Sequence, residues 1–205
     1  DIMYEQHIFL EENRLSNDTL VKSVKYKIGG SAFNTAYGLS KMGHKVNLIC
    51  SIGKDIEGEY IKGVLNKMSH IHTDYVNSSN PETSKVFALI NKNNEHKFLS
   101  FRTNNIKLKS IIENLNIKRN DIVNISGYAF QDDNSRIICN KLIGKCKDNS
   151  GLLFVDPSLN FAKYFNKIEK FIPIDYFFPN QEEASIISGV DAVSYTHLTL
   201  PTTPY

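Results

Sequence analysis

Apolar and polar residues along the chain follow two rhythms. From Val46 onward, short apolar runs alternate with stretches of helical spacing. Val46–Ile52, Ile122–Ser126, Leu152–Val155 and Tyr176–Phe178 read as buried strands. Between them, Ile56–Met68 repeats Tyr60, Ile61, Val64, Leu65 and Met68 at helical spacing, and Asn134–Lys147 divides its faces in the same way. Lys107–Leu115, Phe161–Phe171 and Gln181–Ser188 are further predicted helices, the last stopped by Gly189. Apolar strands separated by helices predict an α/β fold with a doubly wound parallel sheet covered on both faces.

The second rhythm is one of half-exposed strands. Asp1–Leu10 with Leu20–Ile28, and Val86–Asn91 with His96–Arg102, mix apolar and charged positions. The polar turn Lys92-Asn93-Asn94-Glu95 suits a hairpin in the second pair. Inserted into an α/β body, these strands predict a small separate sheet projecting over the ligand site. The alternative is a pair of ordinary edge hairpins.

Composition narrows the function classes. The 205 residues are 41% hydrophobic and 22% charged, which suits one globular domain with a sizeable core. With a net charge of +2 and no cluster of Lys or Arg, neither a nucleic-acid nor a membrane-surface role has electrostatic support. Lacking an apolar run of spanning length and a signal peptide, the chain reads as cytoplasmic. Cys50, Cys139 and Cys146 have no metal spacing and read as buried reduced thiols, with Cys139 and Cys146 on one helix face. His70 and His72, placed in a loop without a third ligand, read as no metal site. The chain opens at Asp1 with no strand ahead of it, so a leading strand is expected to be missing. Residues 193–205 carry no charge, and Ser194–Thr202 resembles a translated sequencing-library adapter, so 193–205 is read as a non-native tail.

Gly29-Gly30-Ser31-Ala32-Phe33-Asn34-Thr35-Ala36 carries the clearest chemistry. Two glycines admit a ligand close to the backbone, and a helix opening at Ser31 as N-cap turns free N–H groups toward it. Asn34, one turn in, offers a donor and an acceptor that together bridge neighbouring hydroxyl groups of a sugar. Ligands in such sheets bind beyond the carboxyl ends of the strands. There the sequence sets Gly53 with Asp55, Gly127 with Tyr128, Asp156 with Pro157, and Asn180 with Glu183. Asn180 and Glu183 share one face at a helix start, where the carboxylate serves either a hydrated Mg²⁺ or merely the helix end.

The glycine motif, the Leu39 to Gly43 helix close, the strand that follows and Gly53-Lys54-Asp55-Ile56-Glu57-Gly58 resemble the first signature of the ribokinase (PfkB) family of carbohydrate kinases. Pro179-Asn180-Gln181-Glu182-Glu183-Ala184 resembles its Asn-x-x-Glu motif. The resemblance covers about Asp1 to Asp191. It implies a ribokinase-like fold, incomplete at both ends, over residues 1–192, with lid strands at about 1–28 and 86–102. It also implies ATP as co-substrate, Mg²⁺ held through water by Glu183, phosphate contact by Asn180, and dimer contacts through the lid. Asp1 would accept hydrogen bonds from sugar hydroxyls beside Gly29, Gly30 and Asn34. Asn105, in a Thr-Asn-Asn where relatives carry Gly-Ala-Asn, would touch substrate.

The family's Gly-Ala-Gly-Asp, which supplies the general base and an anion hole, does not occur in these 205 residues. A positioned base contributes about 10²–10⁴-fold, so this chain is expected to be inactive, while the resemblance implies that the intact protein phosphorylates a hydroxyl of a sugar or sugar-like substrate with ATP. The nucleotide-site residues are expected beyond it. A nucleoside kinase of the same family and a non-catalytic sugar binder are the alternatives. A dinucleotide-binding oxidoreductase is disfavoured, because no Gly-x-Gly-x-x-Gly follows a strand. Ser31-Ala32-Phe33 leaves fructose, 2-keto-3-deoxygluconate and nucleosides all open as substrates.

Overall fold

The computed structural model describes residues 1–12, 15–103, 107–165 and 173–190. The chain divides into two compact units, Asp1–Leu115 and Asn116–Tyr205. Asn105, the later part of the Phe161–Phe171 helix and the 193–205 tail lie outside the described residues.

In the first unit the four half-exposed segments join into one sheet. Its strands are β1 (Met3–Leu10), β2 (Val21–Gly29), β7 (Lys85–Ile90) and β8 (His96–Phe101), in the order β2-β1-β7-β8. β1 and β7 run parallel at the centre, and β2 and β8 are antiparallel edges. Asn94, at φ 58°, makes the β7–β8 turn, a conformation asparagine tolerates better than most residues. The register puts Gln6, Tyr26, Phe87 and Leu99 in one row, with Val24, Ile8, Leu89 and Lys97 in the next. That face is mostly apolar, yet Tyr26 is 56% and Leu99 59% exposed.

The rest of this unit packs about one apolar cluster. α1 (Ser31–Lys41) contributes Phe33 and Ala36, and α2 (Ile56–Leu65) contributes Ile61 and Leu65. Ile2, Leu48, Cys50, Ile52 and Ile71 complete it. The predicted strand Val46–Ile52 is broken in two. β3 (Val46–Asn47) pairs with β5 (Ile71–His72), and β4 (Cys50–Gly53) pairs with β6 (Val76–Asn80). The break follows the partners, since the chain leaves one ladder at His72 and enters the next at Val76. His72 therefore sits on a strand, not in a loop. Helix α2 stops at Leu65, three residues short of the expected end. α3 (Leu108–Asn114) closes the unit.

The second unit is a parallel βα arrangement with strand order β11-β10-β9. β9 (Ile122–Ser126) leads through a short 3₁₀ turn, Gly127–Phe130, into α4 (Asp133–Asp148). β10 (Leu152–Asp156), α5 (Leu159–Phe165), β11 (Tyr176–Phe177) and α6 (Gln181–Ser188) follow. Leu153, Val155 and Ile125 are buried on one face, and Phe130 and Phe161 meet edge to face at 4.8 Å. Within this unit the opposite face is less covered than expected, with Ile122, Tyr176 and Phe178 exposed. Burial drives the thiols of Cys50 and Cys139 up to about 12, as inert core cysteines require.

Candidate functional site

The mouth of α1 is built from three stretches of the first unit. Its N-cap is Gly30, at φ 101° and ψ 136°, and not Ser31. A left-handed φ strains any residue with a Cβ, and a Cβ at Gly30 would also lie 2.8 Å from the carbonyl oxygen of Asp1. At Gly29 a Cβ would meet only the movable carboxylate of Glu5, at 1.8 Å, so the backbone constraint lies at Gly30. The helix end is capped by Asp1 from outside. The Phe33 amide donates to the Asp1 carbonyl at 3.1 Å, and the Ala32 amide donates to Asp1 Oδ1 at 3.4 Å. Asp1 Oδ2 forms an ion pair with Arg102 Nη1 at 3.2 Å.

Asp1 thus lies against Gly30 and the first turn of α1, with Gly29 the residue before, and Asn34 stands on that turn with its side chain exposed. Buried Phe33, beside it, anchors the turn in the core. An arginine-neutralised carboxylate, an accessible carboxamide and a backbone without Cβ atoms offer both donors and acceptors at one lip. That set suits a polyhydroxyl ligand.

Arg102 escaped the sequence reading. Its partner is a hundred and one residues away, and only its position just before Thr103-Asn104-Asn105 hinted at it. Thr103 is held in turn, its amide donating to Ser84 Oγ at 3.1 Å and its hydroxyl meeting Ser84 Oγ at 3.2 Å.

Asn180 and Glu183 lie in the second unit and form a reciprocal capping box on α6. The Glu183 amide donates to Asn180 Oδ1 at 2.9 Å, and the Asn180 amide donates to Glu183 Oε2 at 3.0 Å. Glu183 is buried, at 7% exposure. One carboxylate oxygen is therefore engaged by backbone, and among the described residues no group of three or more His, Cys, Asp or Glu gathers to chelate a metal. This donor set fits a hydrated cation contacted through water and does not fit direct chelation. Nearby in the same unit, Asp156 pairs with Ser126 at the carboxyl ends of β10 and β9. A Cβ on Gly127 would lie 2.3 Å from the Ser158 nitrogen, so that glycine is required by packing.

Against known proteins, the pattern of the pfkB family carbohydrate kinases matches residues 1–198. The chain belongs to this family. It is 27% identical over 170 residues to the 5-dehydro-2-deoxygluconokinase of Clostridium botulinum (strain Alaska E43), covering 75% of this chain and 47% of that protein. To the enzyme of the same name from Listeria monocytogenes (strain HCC23) it is 28% identical over 185 residues, 88% of this chain and 55% of the relative. The chain spans about half the length of these curated relatives. Among solved structures, the fold matches Burkholderia thailandensis nucleoside kinase in complex with inosine at a TM-score of 0.70 and 15% identity, covering 92% of this chain and 60% of that one. It also matches Arabidopsis thaliana ribokinase complexed with ribose and ATP at 0.67 and 17%, covering 96% and 66%. These likenesses establish the ribokinase fold of this pfkB-family chain. No helix among the described residues is long and apolar enough to cross a membrane.

Proposed function

We propose that the intact protein is an ATP-dependent cytoplasmic kinase that phosphorylates a hydroxyl of a small sugar acid. The observation that carries this reading is the α1 mouth, where Asp1, held by Arg102 and the Ala32 amide, meets Gly30 beside exposed Asn34. Asp1 accepts hydrogen bonds from sugar hydroxyls, and Asn34 reads a neighbouring pair. Asn105 follows two residues after Thr103, and we assign it a further contact to substrate.

The sugar-acid reading over a neutral sugar or a nucleoside has two supports. The curated relatives above are named for 5-dehydro-2-deoxygluconate, which carries a carboxylate, and Arg102 brings a guanidinium to the same lip. Asn180 contacts phosphate oxygens without adding charge, and Glu183 holds the water shell of Mg²⁺. When bound, Mg²⁺ neutralises charge on the transferring phosphoryl group. The residues of this chain bind and orient the acceptor hydroxyl; the base and the nucleotide contacts lie outside it.

Purified intact protein, assayed for ADP formation with a panel of sugars, sugar acids and nucleosides, tests the proposal. Turnover is expected with a ketogluconate-type acid, and none from residues 1–205 alone. Turnover confined to nucleosides would replace the sugar-acid reading, and none with any acceptor would support the non-catalytic binder.

A further inference from the structure

The segment Gly53–Gly58 and the strand β7 meet in a junction that the substrate site does not account for. Asp55 caps α2, its Oδ1 accepting the Gly58 amide at 3.0 Å. The same carboxylate accepts the Thr83 hydroxyl at 2.5 Å and the Thr83 amide at 2.9 Å. Thr83 Oγ1, in turn, accepts the Gly53 amide at 2.9 Å, and Thr83 is fully buried. Two residues on, Lys85 opens β7 with ion pairs to Asp55 at 3.4 Å and Glu57 at 3.1 Å. The backbones are packed so closely that a Cβ on Gly58 would lie 2.1 Å from the Gly53 carbonyl oxygen.

β7 is a central strand of the four-stranded sheet, so this junction fixes more than one strand. Its neighbour β1 is rooted at the same place, with the Tyr4 amide donating to the Ser84 carbonyl at 3.0 Å and the Tyr4 ring edge-on to Tyr60 of α2 at 5.6 Å. The same end of the sheet reaches the α1 mouth, because Lys85 is in register with Tyr4 and Phe101, β8 ends beside Arg102 and β1 begins beside Asp1. A sheet held at its root by Lys85 therefore sets where Asp1 and Arg102 stand relative to Gly30.

We infer that Lys85 is a positioning residue. Clamped between Asp55 and Glu57, it holds the four-stranded sheet in the orientation that completes the sugar-binding lip. It touches no substrate and acts through β1 and β8. The inference rests on the sugar-binding reading of the α1 mouth, and its test separates the two.

Lys85→Met in the intact protein should raise the KM for sugar by about tenfold while the KM for ATP stays near wild type, since small misplacements at a distance have effects of this size. Lys85→Arg, which can still meet both carboxylates, should restore most of the loss. Lys62→Met is the control, because it breaks only the exposed pair with Glu59. Hydrogen exchange gives a readout independent of activity. Lys85→Met should speed exchange by about tenfold in residues 31–34 and 96–103 and leave 152–156 unchanged.

If Lys85→Met does not accumulate as folded protein, Glu57→Gln removes one arm of the clamp and should give the same pattern at smaller amplitude. Sugar KM and exchange matching those of Lys62→Met would overturn the inference, as would a loss that Lys85→Arg fails to restore. Faster exchange in Lys85→Met, with a wild-type protein that turns over no sugar, would retain the clamp and discard the sugar reading.

Discussion

Asp55 shows how a single carboxylate is made to work by its neighbours. Burial pushes its pKa up, but the hydrogen bonds from the Thr83 hydroxyl and amide, the Gly58 amide and Lys85 outweigh this and bring it down to about 2. The ordinary carboxylate value is about 3.9, so the folded value is depressed. The stabilisation from this group is fully present above about pH 4 and is lost as pH falls toward about 2. Thermal unfolding across that window should show the melting temperature of the first unit dropping, and Asp55→Asn should flatten that part of the profile while lowering stability at about pH 6. Identical pH profiles for wild type and Asp55→Asn would show that the hydrogen bonds carry no net stability. The motif Gly53-Lys54-Asp55 stood out in the sequence, but its partners Thr83 and Lys85 did not. Contacts across about thirty residues leave no local signature.

At the scale of elements, what was legible followed how much of each element's cause lies within itself. Strand Ile122–Ser126 and helix Gln181–Ser188 have the bounds read from sequence, because an apolar run and a local cap specify them. β6 went unseen. Its Val-Asn-Ser-Ser-Asn run has no apolar alternation, and it is held partly by side chains, with Asn77 donating to Ser51 and Asn80 at 3.3 Å each. α1 opens at Ser31 as read, but its cap was misplaced by one residue, because Gly30 takes a positive φ against the Asp1 backbone and becomes the N-cap in place of Ser31. α6 bears a functional question as well. Its capping box satisfies the helix end, and glutamine serves a box as well as glutamate does. Glu183→Gln therefore isolates the charge. If Glu183 also holds the water shell of Mg²⁺, the intact variant should keep its melting temperature, lose turnover strongly and need more Mg²⁺ for half-maximal rate. Rate curves against Mg²⁺ that superimpose on wild type would leave Glu183 a helix cap and nothing more.

For the whole molecule, the sheet β2-β1-β7-β8 carries an apolar face on which Val24, Tyr26, Leu99 and Phe101 are exposed. Contiguous exposed apolar surface of this kind marks association. We propose that a second copy of the chain covers it. Sedimentation of the intact protein should give a dimer, and Leu99→Lys should shift it to monomer; a monomeric wild type would remove the proposal. The sheet itself could be read from sequence as four half-exposed strands. The meeting of Asp1, Gly30 and Arg102 could not, since it depends on how that sheet returns to α1.

The central claim is that the α1 mouth reads sugar hydroxyls, and Asn34→Ala in the intact protein tests it most directly. Leaving a substrate hydroxyl unpaired costs about 1–3 kcal/mol, so the KM for sugar should rise by roughly 5- to 150-fold, with the KM for ATP unchanged. Sugar-dependent ADP formation, measured at varied sugar and then at varied ATP, gives both constants. A sugar KM and turnover equal to wild type would contradict the account.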